Sequence, residues 1–505
     1  MDSILLIVAP VIMLVCFSIR VLPRLGRPFV GHDAWAILLV VDELKKGRGY
    51  NGVSNYFLIP GDHDYPPLFF YFLSLFPSSL LRRCNWIVNP ILDSVNALLL
   101  LLVAYSLTGD VALSVIGAGV YSFTPVVLEE SLILSTRSFG MILFNATLAS
   151  LVLYYALGQS VFLLCTVAGG ILVLLSHKFA TQVLYLLLVS VAVASLSFLP
   201  IVLLMAIVAG AVLFSGGFYV KIAQGHLGII KFWLRHYKEY GTDYLGKVAS
   251  SGRHEKPRAT GVVEGVPDSF LRRLWWKTKK VNPFYWLLSI NPFNPFSLVV
   301  VLVPFLGVWS AWRWLLVEWS LFTLVFYYAA TYLKFLGHYP GRSQFLDYNA
   351  FPTAMLCAML LSESFSLWKV AIVAVVSVLS LIQIVRSWNR ARVHNRSDDQ
   401  SLLRDIFTYL KNSSKDGVIC LPASHTYAIP YFSGKRVFYT MSARNYEKIA
   451  AFFPVLTTPL STLSREYGIC FVIVDTMVVP VEELELSGFK RVMERNGYLL
   501  LERCA

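Results

Sequence analysis

The sequence predicts a polytopic α-helical membrane protein, with about eleven transmembrane helices and a small C-terminal α/β soluble domain. Three observations predict it. Of 505 residues, 56% are hydrophobic and only 14% are charged, with a mean hydropathy of +0.63, which is too apolar for a soluble multidomain chain. Apolar runs approaching the ~20 residues of a bilayer span recur along the first three quarters of the chain. Beyond Arg386 the pattern changes to the short amphipathic and β-branched segments of a soluble fold.

The expected spans cover residues 3–19, 90–107, 111–128, 140–157, 161–175, 181–199, 202–213, 297–309, 314–332, 349–361 and 367–385. The first has neither a basic leader nor a small-residue cleavage site before Arg20, so it reads as a retained helix. Residues 65–76 are apolar but short and open on Pro66-Pro67, which suits an interfacial or re-entrant helix. Residues 215–296 mix Trp and Tyr with Lys and Arg, the composition of helices lying at the headgroup level. In the C-terminal region, 401–411 reads as an amphipathic helix, with Leu402, Leu403, Ile406, Phe407 and Leu410 on one face. Strands are expected at 417–421, 436–439, 470–474 and 498–502. No glycine-rich phosphate loop follows any of them.

A net charge of +13 could suggest nucleic acid, but the cations are dispersed over loops and form no basic domain. Anionic lipid or phosphate is the simpler partner. Seven cysteines show no C-x-x-C spacing, so neither a zinc site nor a disulfide framework is indicated.

Two acidic stretches follow the first span. Gly31-His-Asp-Ala-Trp35 puts Asp33 where the chain re-enters an apolar run, a position expected to desolvate the carboxylate partly and suit it to act as a general base. Asp62 and Asp64 flank His63 just before Pro66-Pro67. Carboxylates at D-x-D spacing can share a divalent cation such as Mg or Mn, with Asp33 as a third ligand, or bind sugar hydroxyls, and the residues alone leave both open. A carboxylate at a membrane edge is ordinarily a solvated loop residue; it is the clustering that argues otherwise.

The order of these motifs resembles the GT-C superfamily of membrane glycosyltransferases, which use polyprenyl-phosphate sugars and include protein O-mannosyltransferases and aminoarabinose transferases. The resemblance rests on His32-Asp33-Ala34-Trp35, Lys46-Gly-Arg-Gly-Tyr50, Tyr65-Pro66-Pro67-Leu68 and the loop from Gly341-Arg342 to Pro352. It implies a transmembrane catalytic unit over 1–390, with a first external loop at 20–88 and an interfacial loop at 215–296, and a C-terminal extracytoplasmic domain over 395–505. It implies a multi-pass plasma-membrane protein whose partners are the bilayer, a polyprenyl-phosphate-linked sugar and an extracytoplasmic acceptor, with no nucleic acid. The positive-inside rule, applied to Arg20, Arg24, Arg27 and the arginines of 386–396, would orient the chain the other way. No Trp-Trp-Asp-Tyr-Gly motif of the oligosaccharyltransferase branch is present, so transfer of one sugar with inversion is expected rather than en bloc glycan transfer.

On that resemblance Asp33 is the expected catalytic base. Arg137 and Arg342 are the expected phosphate clamps, since guanidinium stays charged at low dielectric and binds phosphate bidentately. Lys334, His338 and His177 could assist at the donor phosphate, and Lys178 stands beside His177. Asp62, Asp64, Glu129 and Glu130 are candidates for meeting the acceptor or a metal. The alternative class is a transporter or flippase of a lipid-linked glycan, which would carry inverted repeats; none is visible.

Overall fold

The computed structural model describes residues 3–25, 31–240, 293–299, 310–332, 336, 344–362, 367–392, 400–453, 456–479, 481, 484 and 486–504. The transmembrane part contains α1 (Ser3–Val21), α4 (Ser78–Thr108), α5 (Val111–Ser122), α6 (Pro125–Ser131), α7 (Arg137–Leu157), α8 (Val161–Leu174), α9 (Lys178–Ser195) and α10 (Leu199–Phe214). It continues with α12 (Ala311–Tyr332), α13 (Gln344–Ser362) and α14 (Leu367–Arg392). Among the described residues five helices are long and apolar enough to cross a membrane, or up to seven if two bent pairs each count as one span. The α5–α6 pair bends by 57°. Of the eleven expected segments, ten coincide with helices; residues 300–309 of the other lie outside the described residues. Val161–Leu174 has only 14 residues, about 21 Å of helix, short of a ~30 Å hydrocarbon core.

These helices pack one face into a continuous apolar core and turn another outward. On α1, Leu5, Ile12 and Cys16 are buried while Ile4, Ile7 and Leu14 are more than half exposed, as a lipid-facing helix requires. α1 runs past the expected end at residue 19, and Arg20 is fully buried, its Nε 3.1 Å from Asp93 Oδ2 on α4. Arg24 is buried as well. Neither arginine is a solvated loop cation, so both leave the charge count on which the positive-inside argument stood.

Between α1 and α4 the chain forms α2 (His32–Lys45), a 3-10 segment (Tyr50–Tyr56) and α3 (Leu68–Ser74). Helix α2 buries Ala34, Trp35 and Ile37 through Val41 against the C-terminal region, in a second apolar core that both share. Trp35 lies 5.1 Å from Tyr431 and 4.8 Å from Phe432, ring centre to ring centre. The C-terminal region holds α15 (Arg404–Asn412), α16 (Ala428–Ser433) and α17 (Leu460–Tyr467) around four strands: β1 (Val418–Leu421), β2 (Phe471–Asp475), β3 (Phe489–Arg495) and β4 (Tyr498–Arg503). Their order is β1-β2-β4-β3, parallel between β1 and β2 and antiparallel elsewhere.

One strand expectation needs correction, and one strand is additional to those expected. Residues 436–439 make only isolated bridges, Val437 to Phe57 and to Val418, because they act as a backbone splice between β1 and the first loop. Leu58 N–H donates to Val437 O, Val437 N–H to Tyr56 O and Phe438 N–H to Val418 O. β3 was not expected, because an edge strand reading Phe-Lys-Arg-Val-Met-Glu-Arg is polar and half exposed. It is joined to β4 by Asn496-Gly497, both at positive φ, as a tight hairpin turn demands.

Candidate active site

Helix α11 (Phe218–Tyr240) follows α10 after a 115° bend and lies back across the helix ends. Beneath it is a cavity of about 250 Å³ lined by Asp33, Tyr65, Thr136, Arg137, His177, Lys178, Gln344 and, from α11, His226 and Trp233. The polar lining has a common origin: α7, α9 and α13 begin here, at Arg137, Lys178 and Gln344, and Asp33 lies in the first turn of α2. A helix start carries a partial positive charge, so four of them together favour an anion, although at α9 the His177 side chain already takes one N–H.

Asp33 occupies the first turn of α2. Gly31, with φ +106°, lies against Ile133 too closely for any side chain, which explains the glycine that opens the motif. The Asp33 side chain is exposed at the cavity mouth, not desolvated as expected, because the buried face of α2 begins one residue later.

Arg137 is half-buried and held on two sides. Glu130 forms an ion pair with its Nη1, and the Gln344 amide, oriented oxygen first, accepts from Nη2 at 2.5 Å and Nε at 3.3 Å. Glu130 therefore orients Arg137 and does not line the cavity. Glu129 accepts from Ser387 Oγ at 2.5 Å and also lies outside the lining.

His177 caps α9: its Nδ1 accepts from Ala180 N–H at 3.2 Å and lies 3.2 Å from Tyr348 Oη. An accepting Nδ1 assigns the proton to Nε2. Burial, reinforced by Arg137, pushes its pKa down to about 3, so it would meet a phosphate as a neutral N–H donor and not as a cation. Lys178 Nζ lies 3.2 Å from Asp64 Oδ1 and 5.3 Å from the Tyr65 ring centre. The Tyr65 hydroxyl is 2.8 Å from Thr136 Oγ1, and burial raises its pKa to about 12.

The D-x-D pair is split. Asp64 is buried, and its Oδ2 accepts from Ala443 N–H at 2.8 Å and Ser442 Oγ at 3.2 Å. Asp62 points outward to Lys221 at 3.4 Å and Arg444 at 3.5 Å. His63 is buried between them, its ring centre 4.5 Å from that of Tyr50. Among the described residues no three His, Cys, Asp or Glu side chains gather to hold a metal. Both Asp64 oxygens accept from protein donors, Lys178 on one and Ser442 and Ala443 on the other, and Asp33 and Asp62 do not gather around it. Arg342, Lys334 and His338 lie outside the described residues. Tyr65, His226 and Gln344 were not singled out as site residues, because only the chain path brings them to the cavity.

No family model and no curated protein matches the sequence. Solved structures do. The archaeal oligosaccharyltransferase AglB from Archaeoglobus fulgidus, in complex with an inhibitory peptide and a dolichol-phosphate, superposes with a TM-score of 0.58 at 11% identity, over 94% of this chain and 69% of that one. ArnT from Cupriavidus metallidurans bound to undecaprenyl phosphate gives 0.53 at 11% identity, over 99% and 97%. The chain has the GT-C fold. A complex of the Archaeoglobus fulgidus oligosaccharyltransferase with Zn and sulfate gives 0.55 at 13% identity, over 93% and 68%.

Proposed function

We propose that the protein is a GT-C glycosyltransferase that moves one sugar, with inversion, from a polyprenyl-phosphate carrier to a hydroxyl of an extracytoplasmic lipid, glycan or protein. The single observation that carries this reading is the cavity where four helix starts, Arg137 and Lys178 face a space with the carboxylate of Asp33 at its mouth. The two halves suit the two demands of the reaction. A leaving phosphate needs positive charge and N–H donors, which Arg137, Lys178, His177 Nε2 and the helix starts supply. An acceptor hydroxyl needs a base, and Asp33 is exposed to receive its proton while the acceptor oxygen attacks the anomeric carbon and the carbon–phosphate oxygen bond breaks. Binding of a dolichol-phosphate by AglB and of undecaprenyl phosphate by ArnT supports the carrier class. The outer face of a plasma membrane as the site of the C-terminal region, and a catalytic unit over 1–390 joined to a domain over 395–505, belong to the same reading. Arg342, Lys334 and His338 remain donor-side candidates within it.

The test is Asp33→Asn in reconstituted protein. Loss of a general base should reduce transfer by about 100- to 10,000-fold while carrier-lipid binding persists. Transfer at a near wild-type rate would reject the base, and a variant that moves lipid-linked glycan across the bilayer without forming a glycosidic bond would favour a flippase.

A further inference from the structure

A second cleft, of about 460 Å³, shares no lining residue with the cavity beneath α11. It lies where the end of α2 and the start of α4 meet the C-terminal region, and its charged lining is Asp42, Lys45, Lys46, Arg82 and Lys411. Four cations thus face one carboxylate. Arg82 occupies that carboxylate, at 3.1 Å from Asp42, and Lys46 is 2.7 Å from Glu43. Lys45 and Lys411 pair with no carboxylate among the described residues. Lys45 Nζ is held by the Phe76 carbonyl and, at 3.2 Å, by Ser78 Oγ. Those acceptors are neutral, so its charge stays uncompensated.

The contact with Phe76 joins the cleft to an unusual stretch of surface. Around the turn from α3 to α4, Tyr71 is 49% exposed, Leu75 79%, Phe76 37% and Leu80 46%. Bare apolar side chains next to unpaired ammonium groups, at the end of a membrane-crossing helix, match the chemistry of a bilayer surface. The apolar groups enter the headgroup and acyl boundary, and the cations meet phosphate. A free anion would satisfy the lysines but would leave the apolar turn without a purpose. The Tyr56 and Tyr431 side chains add phenol groups to the wall, and the volume lies within the range of ligand sites.

We propose that this cleft binds the phosphate headgroup of an anionic membrane phospholipid, at a site separate from the donor cavity. The full chain purified in detergent is titrated calorimetrically with dihexanoyl phosphatidylglycerol, dihexanoyl phosphatidylcholine and inorganic phosphate. Phosphatidylglycerol should bind, phosphatidylcholine should bind at least tenfold more weakly, roughly the effect of losing one or two cation contacts, and equimolar inorganic phosphate should not displace the lipid. Lys411→Gln and Lys45→Gln should each weaken phosphatidylglycerol by about fivefold, and Arg465→Gln, an exposed cation outside the cleft, should leave it unchanged. Both cleft lysines are exposed, and an unaltered unfolding midpoint verifies that the variants fold. Equal binding of the two lipids, or wild-type affinity in both cleft variants, overturns the proposal. Displacement of the lipid by equimolar phosphate also overturns it, in favour of a free-anion site.

Discussion

Lys178 and Asp64 form a buried ion pair, 3.2 Å between Nζ and Oδ1, and the same carboxylate accepts from the backbone N–H of Ala443. The pair links the start of a membrane helix, the first loop and the C-terminal region at one point beside the cavity. α11 presses on the same point: a Cβ at Gly225 would lie 2.5 Å from Asp64 Cγ. Removing the carboxylate strands a buried ammonium group, so Asp64→Ala should destabilise the protein by about 3–5 kcal/mol. Asp64→Ala with Lys178→Met should recover much of that loss, because the stranded charge is gone. Unfolding midpoints of the two single variants and the double in one detergent measure the coupling, and simple additivity would dissolve the pair.

Arg137 is the cation most firmly aimed at the cavity, by Glu130 and the Gln344 amide. Arg137→Lys keeps the charge but loses the planar fork, and the loss of one charge-assisted hydrogen bond, about 1.5–3 kcal/mol, should weaken carrier binding by roughly 10- to 100-fold. Glu130→Gln leaves the guanidinium in place but less constrained and should weaken binding less. Equal carrier affinity in Arg137→Lys and wild type, measured by competition with polyprenyl phosphate, would remove Arg137 from the donor site.

Arg20 and Asp93 are each buried in the transmembrane core, and they clamp α1 to α4. Asp93→Ala should cost about 3–5 kcal/mol, whereas Arg20→Met with Asp93→Leu should be close to neutral, since a well-packed apolar pair can replace a buried ion pair. Thermal unfolding in a fixed detergent distinguishes the two outcomes.

His63 and His177 set an acid limit. Burial, with Lys178 beside His63 and Arg137 beside His177, holds both imidazoles down at about 3, against about 6.5 in the unfolded chain. Between those values the unfolded state binds protons that the folded state does not. Stability is therefore complete above pH ~6.5 and falls on acidification, by up to about 1.4 kcal/mol per pH unit for each histidine. His63→Phe, which fits among Tyr50, Tyr65 and Phe70, should flatten the decline between pH 6.5 and 5. Denaturation midpoints across that interval measure the slope, and an unchanged slope in the variant would exonerate His63.

What could be read from sequence were the features that leave a local signature. Apolar periodicity located the helices, and a carboxylate at the edge of an apolar run located Asp33 at the start of α2. His177 stands out because it interrupts an apolar stretch, whereas Arg137 comes from the resemblance and the affinity of guanidinium for phosphate. Long-range pairing left no such trace. Asp93 reads as the one charged residue inside its span until Arg20, 73 positions earlier, is brought to it. The D-x-D spacing suggested two carboxylates acting together, but Asp64 is drawn inward by Lys178 and Ala443 while Asp62 is drawn outward by Lys221 and Arg444. His226 and Trp233 reach the cavity only because the chain turns sharply after α10, an angle that composition does not encode.

The splice between residues 56–59 and 436–439 also fixes an order of events during synthesis. The apolar face of α2 is made early, yet the surface that covers it is made nearly four hundred residues later. Until residues 428–439 have been made, that face has only its first-loop neighbours and the start of α4 to pack on, and Trp35 lacks its partners Tyr431 and Phe432. Maturation of the first loop is therefore a late step, exposed to aggregation and quality control throughout elongation. A ribosome that stalls before residues 428–439 would release membrane helices already inserted, but with a loop still unable to close.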